Sequence, residues 1–354
     1  MRIFVWCRGQ DDNIGDVILR RRVLDMLRPW GELHIYTGPA SDGFFEGLAV
    51  QSADVSYISS GKWLATMTAT ALRARTVLIF NPGEIRPDRK SMVANIAILP
   101  PQILIKARGG YSARVGVSVL GDRSPTALPI MLTNRLCDLV SWRDTMTPNS
   151  FGKGLVCPDW AFDELRYSEA LNTVAESRTE LALTLRGDRP PPSPEYLDAY
   201  VTAARALNLN PHLFVQVRRD NDRMTSISEQ YGLDLLTWPT DVDHKEQELK
   251  VRMLMHSSAA VVSDRLHALV MGVTEGAQPL GIVPHPESKL KRHFDAAGVD
   301  AHCFATSEIA QDDIELVFLR AMKAGRDLAA FTKAADSVKS LERMVVGSIE
   351  ELVG

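Results

Sequence analysis

The sequence has few cysteines, and none of them form a closely spaced pair. The four thiols, Cys7, Cys137, Cys157 and Cys303, are scattered along 354 residues. Disulfide-stabilised secreted domains and structural zinc sites both need several cysteines at short spacings, so neither class is indicated. The histidines outside the motif discussed below show no metal-ligand spacing either, and we expect no bound metal. The expected compartment is the reducing cytoplasm.

Long hydrophobic runs and an excess of charge of one sign are also lacking. The most apolar stretch, Ser91 to Lys106, is interrupted by Pro100 and Pro101 and is shorter than the ~20 residues that cross a bilayer. We therefore expect no transmembrane helix, while peripheral contact with the inner face of the membrane stays open. The net charge of −4 provides no field that would hold a polyanion, which argues against nucleic-acid binding. A small anionic ligand needs only a few local charges.

Glycine-rich phosphate loops are missing as well. Neither Arg8-Gly9-Gln10 nor Ile14-Gly15-Asp16 fits the dinucleotide fingerprint that would follow a first strand, and no GxxxxGK[ST] loop is present. The strongest signals for NAD and ATP are therefore absent, and we expect no cofactor.

What the sequence does contain is a regular alternation of buried strands and amphipathic helices, which is typical of parallel α/β architecture. The predicted strands are 3–7, 33–36, 55–58, 76–80, 115–119 and 139–142 in the first half, and 181–185, 212–217, 233–237, 259–263 and 279–283 in the second. Two such series in 354 residues predict two Rossmann-like domains. We place them at 1–160 and 161–325, followed by a C-terminal helical segment, 326–354, that packs back on the first domain.

Two loops at predicted strand ends carry candidate binding residues. In an open parallel sheet, ligands bind outside the carboxyl ends of the strands. The first loop contains Asn13, Gly15 and Asp16: Asn13 can donate and accept hydrogen bonds, Gly15 permits close backbone approach, and Asp16 can cap the following helix. The alternative is a plain turn with a helix cap.

The second loop is Ser263-Asp264-Arg265-Leu266-His267-Ala268, where a buried strand meets a helix. The first N–H groups of that helix, near Leu266, can hold an anion. Arg265 adds a permanent cation suited to a carboxylate or phosphate, and His267 can transfer protons. The alternative is a surface ion pair for Arg265 and a capping role for His267.

Further cations follow other strands of the second half. Arg186 comes directly after the strand 181–185, and Arg218 follows the next strand. Lys289 lies near the start of a helix, from which a lysine can reach a bound phosphate. Cations at several strand ends of one domain can converge on one anionic ligand, although each alone is compatible with a solvated surface charge.

In the order of its motifs, the sequence resembles the polysaccharide pyruvyl transferase family. The motifs are Asn13-Ile14-Gly15-Asp16, Trp142-Arg143-Asp144, Thr184-Leu185-Arg186, Ser263 to Ala268, and Pro279 to Lys289. They span the chain from the first strand to about Gly298. The SxRLHA string at Ser263 is the most specific of them.

The resemblance implies a GT-B-like fold, with two Rossmann-like domains facing a cleft. It also implies transfer of the enolpyruvyl group of phosphoenolpyruvate onto two hydroxyls of a sugar, which forms a pyruvate ketal and releases phosphate. His267 would be the general acid/base. Arg186, Arg265, Leu266 and Lys289 would bind the donor, and Asn13, Gly15 and Asp16 would lie on the acceptor side. The partners would be phosphoenolpyruvate and a saccharide or lipid-linked glycan.

Two other functions stay open. In a GT-B glycosyltransferase, Arg265 and Lys289 would hold the diphosphate of a nucleotide sugar. A non-catalytic glycan-assembly protein of the same fold is the other alternative. The presence of Arg186, Arg265 and His267 together favours an enzyme.

Overall fold

The computed structural model describes residues 1–121, 124–152, 154–167, 178–285, 288–306 and 313–353. By their contacts, the residues group into two compact units. The first comprises Met1–Asp11, Asp16–Trp160 and Ser337–Gly354, and the second comprises Asp12–Gly15 and Ala161–Asp336. The expected α/β class is confirmed, because each unit is built on a parallel sheet with helices between successive strands.

The first unit contains a sheet in the order β3-β2-β1-β4-β6-β7-β8, with β5 paired to β6. Its strands are β1 (Arg2–Trp6), β2 (Glu32–Tyr36), β3 (Val55–Tyr57), β4 (Thr76–Phe80), β5 (Gly83–Ile85), β6 (Tyr111–Val119), β7 (Leu139–Trp142) and β8 (Leu155–Val156). The helices are α1 (Ile14–Leu27), α2 (Asp42–Gly47), α3 (Ser60–Arg73), α4 (Arg89–Ala107), α5 (Leu128–Leu136) and α6 (Thr147–Phe151). The first two residues of α1, Ile14 and Gly15, group with the second unit. Strands β4 and β6 are buried along their whole length, as a parallel sheet covered by helices requires.

Helix α4 corrects one expectation. The two prolines of the stretch 91–106 predicted a break there. In the structure, the helix runs through Pro100 and Pro101 without interruption. Neither proline can donate to the carbonyl four residues earlier, which leaves those of Ile96 and Ala97 without their usual helical partner. Both residues are exposed, so water can satisfy these carbonyls. Burial of Ile98 and Ile105 against the sheet supports the helix on its other side.

The second unit contains a sheet in the order β11-β10-β9-β12-β13-β14, again parallel. Its strands are β9 (Glu180–Thr184), β10 (Asn210–Phe214), β11 (Asp234–Leu236), β12 (Ser258–Ser263), β13 (Gln278–Val283) and β14 (Phe304–Ala305). The helices are α7 (Pro194–Ala206), α8 (Asn221–Tyr231), α9 (His244–Ser257), α10 (Leu266–Thr274), α11 (Lys289–Ala297), α12 (Ile314–Ala324) and α13 (Leu328–Val353).

The strand order of the second unit reverses at β9, which lies between β10 and β12. In register, Thr184 of β9 pairs with Ser263 of β12, so the two strands end side by side. A reversal of this kind opens a crevice outside the carboxyl ends of the two strands, and such crevices bind ligands in open α/β sheets. The residues that follow Thr184 and Ser263 are therefore candidates for ligand binding.

Helix α13 is shared between the two groups of residues, because its residues up to Asp336 group with the second unit and those from Ser337 with the first. Within the first unit, Arg22 of α1 forms an ion pair with Glu342 at 2.7 Å. No helix among the described residues is long and apolar enough to cross a membrane.

Candidate anion-binding site

A small pocket of about 40 Å³ lies at the strand ends of the second unit. Arg186 and Arg189 line it from the segment after β9, Asp264 from the residue after β12, and Ser288 and Lys289 from the start of α11. A space of this size exceeds that of one water molecule and accommodates one compact polar group. The loops after three neighbouring strands thus converge on a single cavity.

The cations of the pocket differ in their partners. Arg186 Nε and Nη2 donate to the two carboxylate oxygens of Asp188, at 2.8 and 2.7 Å, and this bonding raises the pKa of Arg186 and lowers that of Asp188. Lys289 is the first residue of α11, directly after the capping residue Ser288, whose hydroxyl accepts from Lys291 N at 3.3 Å. The positive end of the helix dipole therefore adds to the charges of Arg186, Arg189 and Lys289.

Asp264 is the acidic member of the pocket. Its Oδ1 accepts a hydrogen bond from the backbone N–H of Arg186 at 2.9 Å, which ties the end of β12 to the end of β9. Burial raises the pKa of this carboxyl from 3.8 to about 6, although Arg265, Arg186 and Arg189 all act to lower it. A carboxyl with a pKa near neutrality can both donate and accept a proton in the working range of an enzyme.

Arg265 is held away from the pocket by a buried ion pair. Its Nε and Nη2 donate to the two carboxylate oxygens of Asp220, the second at 2.6 Å, and the two side chains are 8% and 0% exposed. Asp220 also accepts from Gly187 N at 2.8 Å. The structure thus commits two of the three guanidinium nitrogens to Asp220, because a fully buried carboxylate requires a cationic partner.

The side chains of Leu266 and His267 lie in different places, although the two residues are adjacent in the sequence. Leu266 lines the pocket, whereas His267 is 8% exposed and packs against Gly15. A Cβ added to Gly15 would lie 2.5 Å from His267 Cγ, so only glycine fits there. Successive helical residues are rotated by about 100°, which explains why the two side chains diverge. Among the described residues, the pocket lining does not include His267.

The segment Asp12–Gly15 is built into the second unit by backbone and side-chain bonds. Asn13 Oδ1 accepts from Gln216 Nε2 at 2.6 Å and from Gly15 N at 3.0 Å, and Asn13 forms a bridge with Val217. The backbone N–H of Arg218 donates to Asp12 O at 2.8 Å. The amide of Asn13 therefore holds the loop that packs on His267.

The structure places the predicted acceptor-side residues in two different units. Asn13 and Gly15 belong to the second unit, and Asp16 belongs to the first. Asp16 does not cap α1, as the sequence suggested, because it is the third residue of that helix. Its carboxylate instead accepts from Gln10 N at 2.7 Å and lies 3.5 Å from Arg20 Nη1.

The predicted donor-side residues are brought together in part. Arg186, Leu266 and Lys289 share the pocket, and the binding roles of these residues and of Arg265 stay predictions. Sequence reasoning missed Arg189, Asp264 and Asp220. The position of Asp264, between a strand end and a helix start, was a signal that could have identified it.

Two other arginines noted in the sequence do not line the pocket and bind other parts of the protein. The guanidinium of Arg218 lies 4.5 Å from the centre of the Trp238 ring and donates to Val242 O at 2.7 Å. Arg143, of the Trp142-Arg143-Asp144 motif in the first unit, is buried and pairs with Asp159 at 2.5 Å. Among the residues that the structure describes, no group of three or more side chains could hold a metal ion.

Comparison with known proteins identifies the fold. No family model matches the sequence, and no curated protein matches it. The structure is similar to the UDP-GlcNAc 2-epimerase from Methanocaldococcus jannaschii, with a TM-score of 0.59, 11% identity and coverage of 98% of this chain and 99% of that one. It is also similar to the UDP-GlcNAc 2-epimerase from Neisseria meningitidis bound to UDP-GlcNAc, with a TM-score of 0.58, 11% identity and coverage of 99% and 100%. The fold is GT-B-like, as expected.

Proposed function

We propose that this protein is a pyruvyl transferase that uses phosphoenolpyruvate to form a pyruvate ketal on two hydroxyls of a sugar. The observation that carries the proposal is the strand-end pocket, in which Arg186, Arg189 and Lys289 surround a space of about 40 Å³. Phosphoenolpyruvate carries a phosphate and a carboxylate, of which this space would hold one, and both groups suit arginine, lysine and helix N–H donors. The order of sequence motifs that resembles the pyruvyl transferase family supports the same donor.

The reaction requires proton transfers that the site can supply. A proton is added to the terminal enol carbon, and one sugar hydroxyl attacks the neighbouring carbon after losing its proton. The carbon–oxygen bond to phosphate then breaks, and the second hydroxyl attacks to close the ketal, its proton leaving with the phosphate. Asp264 adjoins the cations and has a pKa of about 6, so we assign it the proton for the enol carbon.

His267 keeps its proposed acid/base role, directed at the attacking hydroxyls. It packs against Gly15 and does not line the pocket, so its surroundings differ from those of Asp264. Two proton-transfer groups in separate environments allow one to donate while the other accepts. The cations of the pocket would stabilise the departing phosphate.

The experiment that tests the proposal is a turnover assay. The protein is incubated with phosphoenolpyruvate and candidate saccharides, and phosphate release is measured together with the mass gain of the sugar. Coupled release and mass gain are expected, with both lost in the His267→Ala variant while its unfolding transition is retained. If phosphate is released without sugar modification, or if the variant retains full activity, the assigned chemistry is wrong.

The contribution of the pocket can be tested by donor binding. Lys289→Gln removes a charge-assisted bond and is expected to weaken phosphoenolpyruvate binding about tenfold or more. Lys291→Gln is the matched control, because Lys291 lies on the same helix but pairs with Asp295 at 2.8 Å and does not line the pocket. Equal affinities for the two variants would remove the pocket from the donor site.

A second candidate is an enzyme that acts on a nucleotide sugar. It is favoured by the similarity to UDP-GlcNAc 2-epimerases along nearly the whole chain, including a structure bound to UDP-GlcNAc. The two functions are separated by ligand-induced stabilisation, because a ligand that binds only the folded protein stabilises it by an amount that grows with the logarithm of its concentration over its Kd. Stabilisation by UDP-GlcNAc but not by phosphoenolpyruvate would select the second candidate.

A further inference from the structure

The outward face of α4 in the first unit carries a row of exposed aliphatic side chains. Val93, Ile96 and Ile103 are 59%, 50% and 53% exposed. Their spacings of three and seven residues place them on one side of the helix, with Pro100 between them. Single exposed apolar residues are ordinary, but a row of this kind marks an interaction surface.

The neighbouring helices extend this row. Helix α4 packs between α3 and α5. Leu72 on α3 is 59% exposed, and Leu128 and Leu132 on α5 are 55% and 38% exposed. The α4 surface, as we use the term, consists of Leu72, Val93, Ile96, Ile103, Leu128 and Leu132.

The charges around the α4 surface have one predominant sign. Residues 60–138 contain eleven basic and four acidic residues, although the whole chain has a net charge of −4. The exposed basic residues are Lys62, Arg73, Arg75, Arg86, Arg89, Lys90, Lys106, Arg108 and Arg135. Arg89 and Lys90 begin α4 next to its capping residue Asp88, and Lys106, which pairs with Asp138 at 2.9 Å, and Arg108 lie at its end, so each end keeps a net positive charge.

We infer that the α4 surface binds the interface of a lipid bilayer that contains anionic lipids. A helix with an apolar face and flanking basic residues lies in the plane of such an interface, with its apolar side chains below the headgroups. Each nearby lysine or arginine adds electrostatic attraction to the anionic headgroups. At 19 residues, α4 presents about 28 Å of helix to this interface.

Two features favour lipid over a second copy of this chain. A two-fold contact through α4 would place the basic residues of one copy against those of the other, and like charges repel. The carbonyls of Ile96 and Ala97, which the prolines leave without N–H donors, require water and find it at headgroup level.

The test is flotation of the full-length protein with vesicles. One vesicle preparation contains phosphatidylcholine and phosphatidylglycerol, and the other contains phosphatidylcholine alone. We expect binding to the first and little to the second, decreasing with salt. Replacing Arg89 and Lys90 together by Gln is expected to reduce binding about 25-fold, since each charge contributes about fivefold.

The apolar contribution is tested with a second pair. The Ile96→Gln/Ile103→Gln variant is expected to reduce binding about twentyfold. Leu249→Gln/Met253→Gln is the matched control, because these residues of α9 are 60% and 65% exposed on the second unit. That control is expected to bind like the unaltered protein.

Three results would overturn the inference. The first is absence of binding to the anionic vesicles, and the second is equal loss in the α4 and α9 variants. The third is a dimer in sedimentation measurements that dissociates in the α4 variants, since this would make the surface a self-contact. Because all the altered side chains are exposed, unchanged thermal unfolding is expected to accompany each variant.

Discussion

Replacing Asp264 by Asn tests the site most directly, because the amide keeps the shape of the carboxyl but cannot ionise. Its side-chain oxygen can still accept the 2.9 Å bond from the Arg186 backbone N–H. The variant therefore removes the charge and the transferable proton without removing the bond that joins β9 to β12. Any change with pH can then be attributed to ionisation of this one group.

The magnitude follows from the pKa. The carboxyl ionises near 3.8 in the unfolded chain and near 6 in the folded protein. Since the folded value is the higher one, the unaltered protein matches the variant below about pH 4 and loses stability relative to it as the pH rises to about 6 and beyond. One pKa unit corresponds to about 1.4 kcal/mol, which gives a limit of about 3 kcal/mol. Because the side chain is only half-buried, we expect about 2 kcal/mol.

The assay is urea unfolding of both proteins across this pH range. At about pH 8 the Asp264→Asn variant is expected to be the more stable protein, and the difference is expected to vanish towards pH 4. Turnover is expected to fall by a factor of about 10² to 10⁴, with donor affinity unchanged at low pH. Parallel stability curves would refute the raised pKa, and normal turnover would refute the proton-donating role.

Two further substitutions test the surroundings of the site. Gly15→Ala is expected to lower the free energy of unfolding by about 1–3 kcal/mol and to reduce turnover, because the added methyl overlaps the His267 ring. Gly61→Ala, where the nearest atom is 3.8 Å away, should lower neither quantity. Asp220→Ala is expected to cost about 3–5 kcal/mol in denaturant unfolding, since it leaves Arg265 buried without its carboxylate, and a loss below 1 kcal/mol would show that the pair is not buried as described.

The fold class could be predicted because the strands that decide it are buried on both faces. Strands β4 and β12 read as short apolar runs followed by helices, and this alternation suffices to indicate a parallel sheet. The course of α4 could not be predicted from its own residues. Pro100 and Pro101 signal a break, and only packing against the sheet and the adjacent helices shows that the helix continues.

The site was predictable where topology alone sets position. Arg186 and Lys289 follow the ends of strands in one parallel sheet, and parallel topology brings such ends to one edge. Ion pairs between residues far apart in the sequence could not be predicted in this way. Asp220 lies 45 residues before Arg265, and no spacing in the sequence indicates that the two will bind each other. Sequence spacing specifies neighbours along a helix but not partners across a fold.

The ion pairs in and beside the pocket set the net charge that a doubly charged ligand would meet on binding. The charged groups in and beside it are Arg186, Arg189, Arg265, Lys289, Asp188, Asp220 and Asp264. With Asp264 ionised, four cations face three anions, and protonation of Asp264 increases the positive excess from one to two. Binding of a doubly charged ligand therefore favours the protonated form of Asp264, because ligand and proton stabilise each other through the same local field. Above pH 6, binding of the donor should therefore be accompanied by protonation of Asp264. The protonated carboxyl can then donate its proton to the enol carbon.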